Sequence, residues 1–258
     1  MSPMRTRISE SKDASRAVKN SWRSKKARDI VNGLRRRLHS LGHVSVLTEA
    51  ADPISVAKSY LDCSTCFLDD LTDRMALEYL AAKWGLNIDK EEPNDDPLAG
   101  GLYVTAAGDH RWIFVKNGDP LQRQRWTVAH EIGHLVGEVL PHLQRREAFH
   151  GDLFGADIAP RLLRFGRCTL ANNGPLTRAG KLELDANDFA AEFLMPLDGM
   201  RQMLAERHPH GIRSHNEVAD LINKVRKLYD VSQDAANRRV TIDMDIQPIG
   251  SRPTKDLF

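Results

Sequence analysis

His130-Glu131-Ile132-Gly133-His134 sets two imidazoles four residues apart with a carboxylate beside the first, inside an apolar stretch running from Trp126 to Val139. On a helix the two histidines lie one turn apart on the same face, so both rings can reach one metal ion. Glu131 then stands where it can take a proton from a water molecule. The chemistry served by this spelling is zinc-assisted hydrolysis, with His130 and His134 as metal ligands and Glu131 as general base. A purely structural zinc site has no use for the base and closes its coordination with a fourth protein ligand.

Two histidines leave a catalytic zinc one protein ligand short. The stretch from Glu183 to Pro196, beginning 49 residues beyond His134, can supply the third. Read as a helix, it puts Glu183, Asn187, Ala190, Ala191 and Leu194 on one stripe. The small alanines let a second helix approach the first closely enough for a carboxylate to reach the metal. Asp185 is turned away from Glu183 by about 200°. It shares its side with Asp188 and Glu192, a polar set expected to face solvent. Glu183 is the expected third ligand, and Pro196 marks the expected end of the helix.

Arg123 to Val136, taken together with Glu183-x-x-Ala186-Asn187-x-Phe189-Ala190-Ala191-Glu192-Phe193-Leu194-Met195-Pro196, resembles the ImmA/IrrE metallo-endopeptidase family. The first segment alone says only zinc peptidase; the two together are specific, and the resemblance covers about residues 72 to 242. It implies an α+β, zincin-like fold in which a small antiparallel-containing sheet packs on a helical bundle with the metal helix. It also implies one catalytic Zn2+ with Glu183 as third ligand, Asn187 as a partner behind the ligands, and, as in the best-understood members, cleavage of a helix-turn-helix repressor. Two positions depart from the pattern. Glu138 stands where members often have a histidine four residues after the second ligand, and Asp185 where they usually have glutamate. The segment between the two motifs is also longer than usual.

With 258 residues, 41% of them hydrophobic, the chain can bury one good core with a smaller appendage. Its net charge of +2 is unevenly spread: residues 1–40 carry twelve Lys or Arg against Glu10, Asp13 and Asp29, so this arm is basic and the remainder acidic. The expected organisation is a basic, mostly helical extension over 1–70, a catalytic domain over 71–246 and a tail over 247–258. No apolar run approaches the length of a membrane span, and the basic start lacks the apolar stretch of a secretory signal. Three cysteines argue for free thiols in a reducing compartment, so the expected location is cytoplasmic. Cys63-Ser64-Thr65-Cys66 has no second pair at zinc-finger spacing. Buried free thiols are expected there, with a redox pair as the alternative.

The elements that must position the metal site follow from periodicity and turn residues. Ser15 to about Leu41 reads as a basic helix with Val18, Trp22, Ile30, Leu34 and Leu38 on its apolar edge. That edge can dock on the body, or residues 1–40 can contact nucleic acid. Leu71 to Leu86 reads as an amphipathic helix. Leu102–Thr105 and Trp112–Val115 read as a strand pair, and an edge strand can bind an extended substrate backbone. The segment 140–182 is expected to be functional or mobile rather than core, and able to gate the cleft. His142 and His150 fall within it and share no regular element with His130 and His134, which argues against either as a ligand. Towards the C-terminus come helices over 197–208 and 217–229 and a short one after Ser232 as N-cap. The last pair is expected to pack at the end of the domain, with a DNA-reading unit as the alternative. Tyr103 is a candidate oxyanion donor, or else a half-buried strand tyrosine; Trp126 reads as core.

The function that uses every metal-site residue is a site-specific zinc endopeptidase. Its partner would be a protein substrate, a cytoplasmic DNA-binding regulator, and no membrane is implicated. The alternative is a non-proteolytic zinc-containing regulatory or toxin–antitoxin-type interaction protein.

Overall fold

A computed structural model describes residues 25–42, 51–85, 95–105, 107–149, 162–167, 178–212 and 214–246. The first part of the basic arm with Val18 and Trp22, His150, much of the 140–182 segment and the tail lie outside the described residues. The architecture is α+β.

Its centre is the expected strand pair. β2 (Gly100–Thr105) and β3 (Arg111–Lys116) run antiparallel with Leu102 opposite Ile113 and Tyr103 opposite Trp112. Alternate residues point to opposite faces of a strand. Leu102, Val104, Ile113 and Val115 join the main core with Val128, Ala129 and Ile132. Tyr103, Trp112 and Phe114 instead pack with Ala76, Leu77 and Leu80 in a second cluster. Those three come from α3 (Asp73–Trp84), capped by the Thr72 hydroxyl and closed by Gly85 at φ 63°, a left-handed position that suits glycine. With both faces covered, the strands read as unbroken apolar runs.

Two further strands complete the sheet in the order β1-β3-β2-β4. β1 (Ser64–Leu68) pairs parallel with β3, and β4 (Leu162–Arg167) pairs antiparallel with β2. β4 falls in the segment expected to be functional or mobile rather than core: part of it is an edge strand of the sheet.

The helix 25–40, α1, buries Ala27, Val31, Leu34 and Leu38, which recur at helical spacing. The last three lie in the same cluster as the metal helix, along with Val56 and Ala57 of α2 (Pro53–Tyr60) and Cys63. The boundary expected at residue 70 therefore marks no break in packing: α1, α2 and β1 share one core and one sheet with the elements beyond it. The basic helix docks by its apolar edge.

α4 (Leu121–His134) continues as a π-helical turn over Leu135–Val139 and then α5 (Leu140–Phe149). α6 (Arg178–Leu194) lies against α4 and is followed by α7 (Leu197–Arg207). Two arginines distant in sequence grip the end of α6. Arg35 of α1 donates to the Phe193 carbonyl, and Arg239 donates to the Met195 carbonyl from Nε at 3.0 Å and from a terminal nitrogen at 2.7 Å. Cations belong at this end of a helix, where carbonyls lack partners. Glu192 forms a buried ion pair with Arg239 and accepts from the Leu197 amide at 3.2 Å. It does not face solvent as expected from its register, because both its oxygens have partners that lie beyond the helix.

α8 (His215–Tyr229) starts in a reciprocal capping box between Ser214 and Glu217 and buries Val218, Leu221, Ile222, Val225 and Tyr229. α9 (Gln233–Arg238) begins at Ser232, whose hydroxyl accepts from the Ala235 amide as expected. The apolar face of this pair is spent on the main core. Among the described residues no helix is long and apolar enough to cross a membrane.

Candidate metal centre

α4 delivers His130, Glu131 and His134 to the interior, all three buried. The carboxylate of Glu183 arrives from α6, which can come close because small residues meet where the helices cross. A Cβ on Gly133 would stand 3.1 Å from the Ala186 Cα and 3.2 Å from its carbonyl oxygen. Ala186, Ala190 and Ala191 are buried along this side of α6.

His130 Nε2 and His134 Nε2 are 3.1 Å apart, and the Glu183 oxygens lie 3.2 Å from the first and 3.3 Å from the second. Donors held about 2.0–2.1 Å from one tetrahedral zinc ion would stand about 3.3 Å from one another. The mutual spacing of the three side chains therefore fits that ion, and two imidazoles with one carboxylate are a donor set it accepts. This is the one cluster of three potential metal-holding side chains among the described residues. His142 is exposed on α5 and takes no part in it.

Each ring is addressed from behind. His130 Nδ1 donates to Asn187 Oδ1 at 3.1 Å. The resemblance assigned Asn187 this place behind the ligands, and the helical spacing from Glu183 delivers it. His134 Nδ1 faces Glu138 Oε2 at 3.6 Å.

Charge at the site is strongly coupled. Burial pushes the Glu131 carboxyl up to about 7 against the pull of His130 and His134. Burial also works to lower the His134 imidazolium, but the facing carboxylates of Glu138 and Glu183 outweigh it and hold the group up at about 10. Glu183, which burial alone would raise, is held down at about 2 by the two histidines. Imidazoles and carboxylates bind a metal in their deprotonated form, so any proton held here would be released when a cation is taken up. Neither oxygen of Glu131 has a hydrogen-bond partner among the described residues. A buried carboxylate left without partners is costly as structure and is the form expected of a group that handles a proton.

Asp185, the rival carboxylate on α6, points elsewhere and pairs with Lys26 of α1 at 2.8 Å. Tyr103 is not an oxyanion donor to this site. It faces the second cluster and donates to Asp73 at 2.8 Å, because odd positions of β2 point away from α4. Cys63 and Cys66 are free, and burial pushes the Cys63 thiol up to about 12, which is the behaviour of an inert buried thiol rather than a redox pair. Gly100 belongs to the site although motif spacing does not mark it. A Cβ there would strike Thr127 Cγ2 at 2.2 Å and come within 3.6 Å of Glu131, so glycine lets β2 lie directly over the base. Gly100-Gly101 ahead of the strand was the available signal.

The model of the IrrE N-terminal-like domain, Peptidase M78, matches residues 83–152 and 160–241, well over half of the chain. The chain belongs to this peptidase family. Its Peptidase M78 region takes in the sheet from β2 onward, both helices of the metal cluster and the helices up to α9, while α1, α2 and β1 lie outside the match. Comparison with curated proteins finds no match to the chain.

Proposed function

We propose that the protein is a zinc-dependent endopeptidase that cuts one or a few bonds in a DNA-binding regulator, of the helix-turn-helix repressor class, in the cytoplasm. The observation that carries the hydrolytic reading is the convergence of His130, His134 and Glu183 beside a buried, unpartnered Glu131. The substrate class is supported by the resemblance to ImmA/IrrE peptidases.

His130, His134 and Glu183 would hold the ion. Zinc supplies Lewis acidity there, making water more acidic and a carbonyl more electrophilic. Glu131 accepts a proton from the attacking water as the new C–O bond forms, and returns it to the amide nitrogen as the C–N bond breaks. Asn187 fixes the His130 ring with Nε2 forward. The burial of Glu131 keeps bulk water from competing for its proton.

The test is Glu131→Gln. We expect it to retain fold and zinc, to lose cleavage, and to co-purify with a DNA-binding regulator that the active protein cleaves. Zinc-dependent digestion of casein-like proteins at many sites would overturn the substrate class, and undiminished cleavage by Glu131→Gln would overturn the mechanism.

A further inference from the structure

We propose that Glu138 is a positioning residue for His134, gripping the ring at Nδ1 so that Nε2 stays turned towards the metal. The proposal rests on His130, His134 and Glu183 being the ligands.

His134 spends Nε2 on the cluster, where it stands 3.1 Å from His130 Nε2 and 3.3 Å from Glu183. Only Nδ1 is left to anchor the ring, and Glu138 Oε2 faces that nitrogen at 3.6 Å. This is an ion-pair distance, longer than a full hydrogen bond. The carboxylate is about a quarter exposed and hangs on three rotatable bonds, so a small torsional change closes the gap. Because it faces the back of the ring, Glu138 is no fourth ligand, and it lies outside the three-residue cluster.

The His130 ring too is held at Nδ1, by the amide oxygen of Asn187 from the neighbouring helix. The site thus has two ligands held in the same manner, one by a neutral oxygen and one by an anionic oxygen. An acceptor behind a metal-binding histidine fixes its tautomer and orientation, and a carboxylate there makes the imidazole a stronger donor. The backbone contributes as well. The helix widens into a π-helical turn over Leu135–Val139, beginning at the residue after the second ligand and carrying Glu138. Single π-helical turns inside α-helices are frequent at functional sites.

The test is zinc affinity on the full chain by competition with a chromophoric chelator, for the wild type, Glu138→Gln, Glu138→Ala and His134→Ala. Visible absorption of the cobalt-loaded forms is the second readout. Glu138→Ala should weaken zinc binding about 10–100-fold and shift the cobalt bands. Glu138→Gln, whose amide oxygen still accepts from Nδ1, should recover part of the loss. Wild-type affinity and cobalt bands in Glu138→Ala overturn the proposal. So does an equal loss in both variants, which would make the effect one of charge near the ion rather than a hold on the ring. His134→Ala separates the failures. If it binds zinc as tightly as the wild type, the ligand assignment is wrong; if it loses zinc while Glu138→Ala does not, only the positioning role falls.

Discussion

Gly133 of α4 rests against Ala186 of α6 so closely that a methyl group on the glycine would stand 3.1 Å from the alanine Cα. Backbone lies on both sides of that contact, so neither partner can swing aside. Gly133→Val forces the helices apart and should destabilise the protein by about 1–3 kcal/mol, the usual cost of overpacking. It should also weaken zinc binding, since His134 follows Gly133 while Glu183 sits on the displaced helix. Denaturant unfolding and chelator competition on the purified variant check both. Unchanged zinc affinity would mean that helix spacing does not set the donor geometry.

The two carboxylates on the first turns of α6 separate cleanly. Glu183→Ala removes one of three donors and should lose most bound zinc and all peptidase activity. Asp185→Ala should keep near-stoichiometric zinc. The pair it breaks with Lys26 is largely exposed, with side chains 56% and 33% accessible, so the stability cost should stay below about 1 kcal/mol. Metal analysis of the two variants decides, and the reversed pattern would overturn the assignment.

At the other end of α6 the same kind of pairing has a different weight. Arg239 and Glu192 are both buried, and Arg239→Ala takes from Glu192 its direct ion-pair partner in the interior. Arg239→Ala should cost about 3–5 kcal/mol, against under about 1 for Lys26→Ala. Urea unfolding of the two variants measures the contrast, and equal midpoints would refute it.

Much of this arrangement was legible in the sequence, and the parts that were not have a common cause. The hairpin of β2 and β3, α3, the metal helix and the cap at Ser232 all announce themselves within a few residues, through periodicity or a capping side chain. β1 has no clean alternation and becomes a strand through its ladder with β3, nearly fifty residues later. Glu192 looked solvent-facing from its neighbours on the helix, yet its partner is 47 residues away. Tyr103 could not be assigned a side, because both faces of β2 are buried and each residue there reads alike. The metal ligands were readable for the opposite reason: one helix fixes His130 and His134 four residues apart, and a second fixes Glu183 relative to the alanines that let it approach.

Cys63 offers a test of burial at the seam between α2 and β1. Its thiol, pushed up to about 12 by burial, carries almost no thiolate at pH 8. We expect no modification of Cys63 by a thiol-disulfide reagent in the native protein at that pH, and full modification in denaturant, with the site read by peptide mass analysis. Rapid native labelling would show that this seam opens.

Synthesis adds Arg239 after the whole of α6, so the grip on the end of that helix has an order in time. The nascent chain exposes His130, His134 and Glu183 while Arg239, 56 residues beyond Glu183, has yet to be made. Until it emerges, Glu192 lacks its Arg239 partner and the Met195 carbonyl lacks that donor. A ribosome-bound fragment can therefore own all three zinc donors without the clasp that secures the helix bearing one of them. The clasp on α6 can close only after Arg239 has been added, later than all three donors.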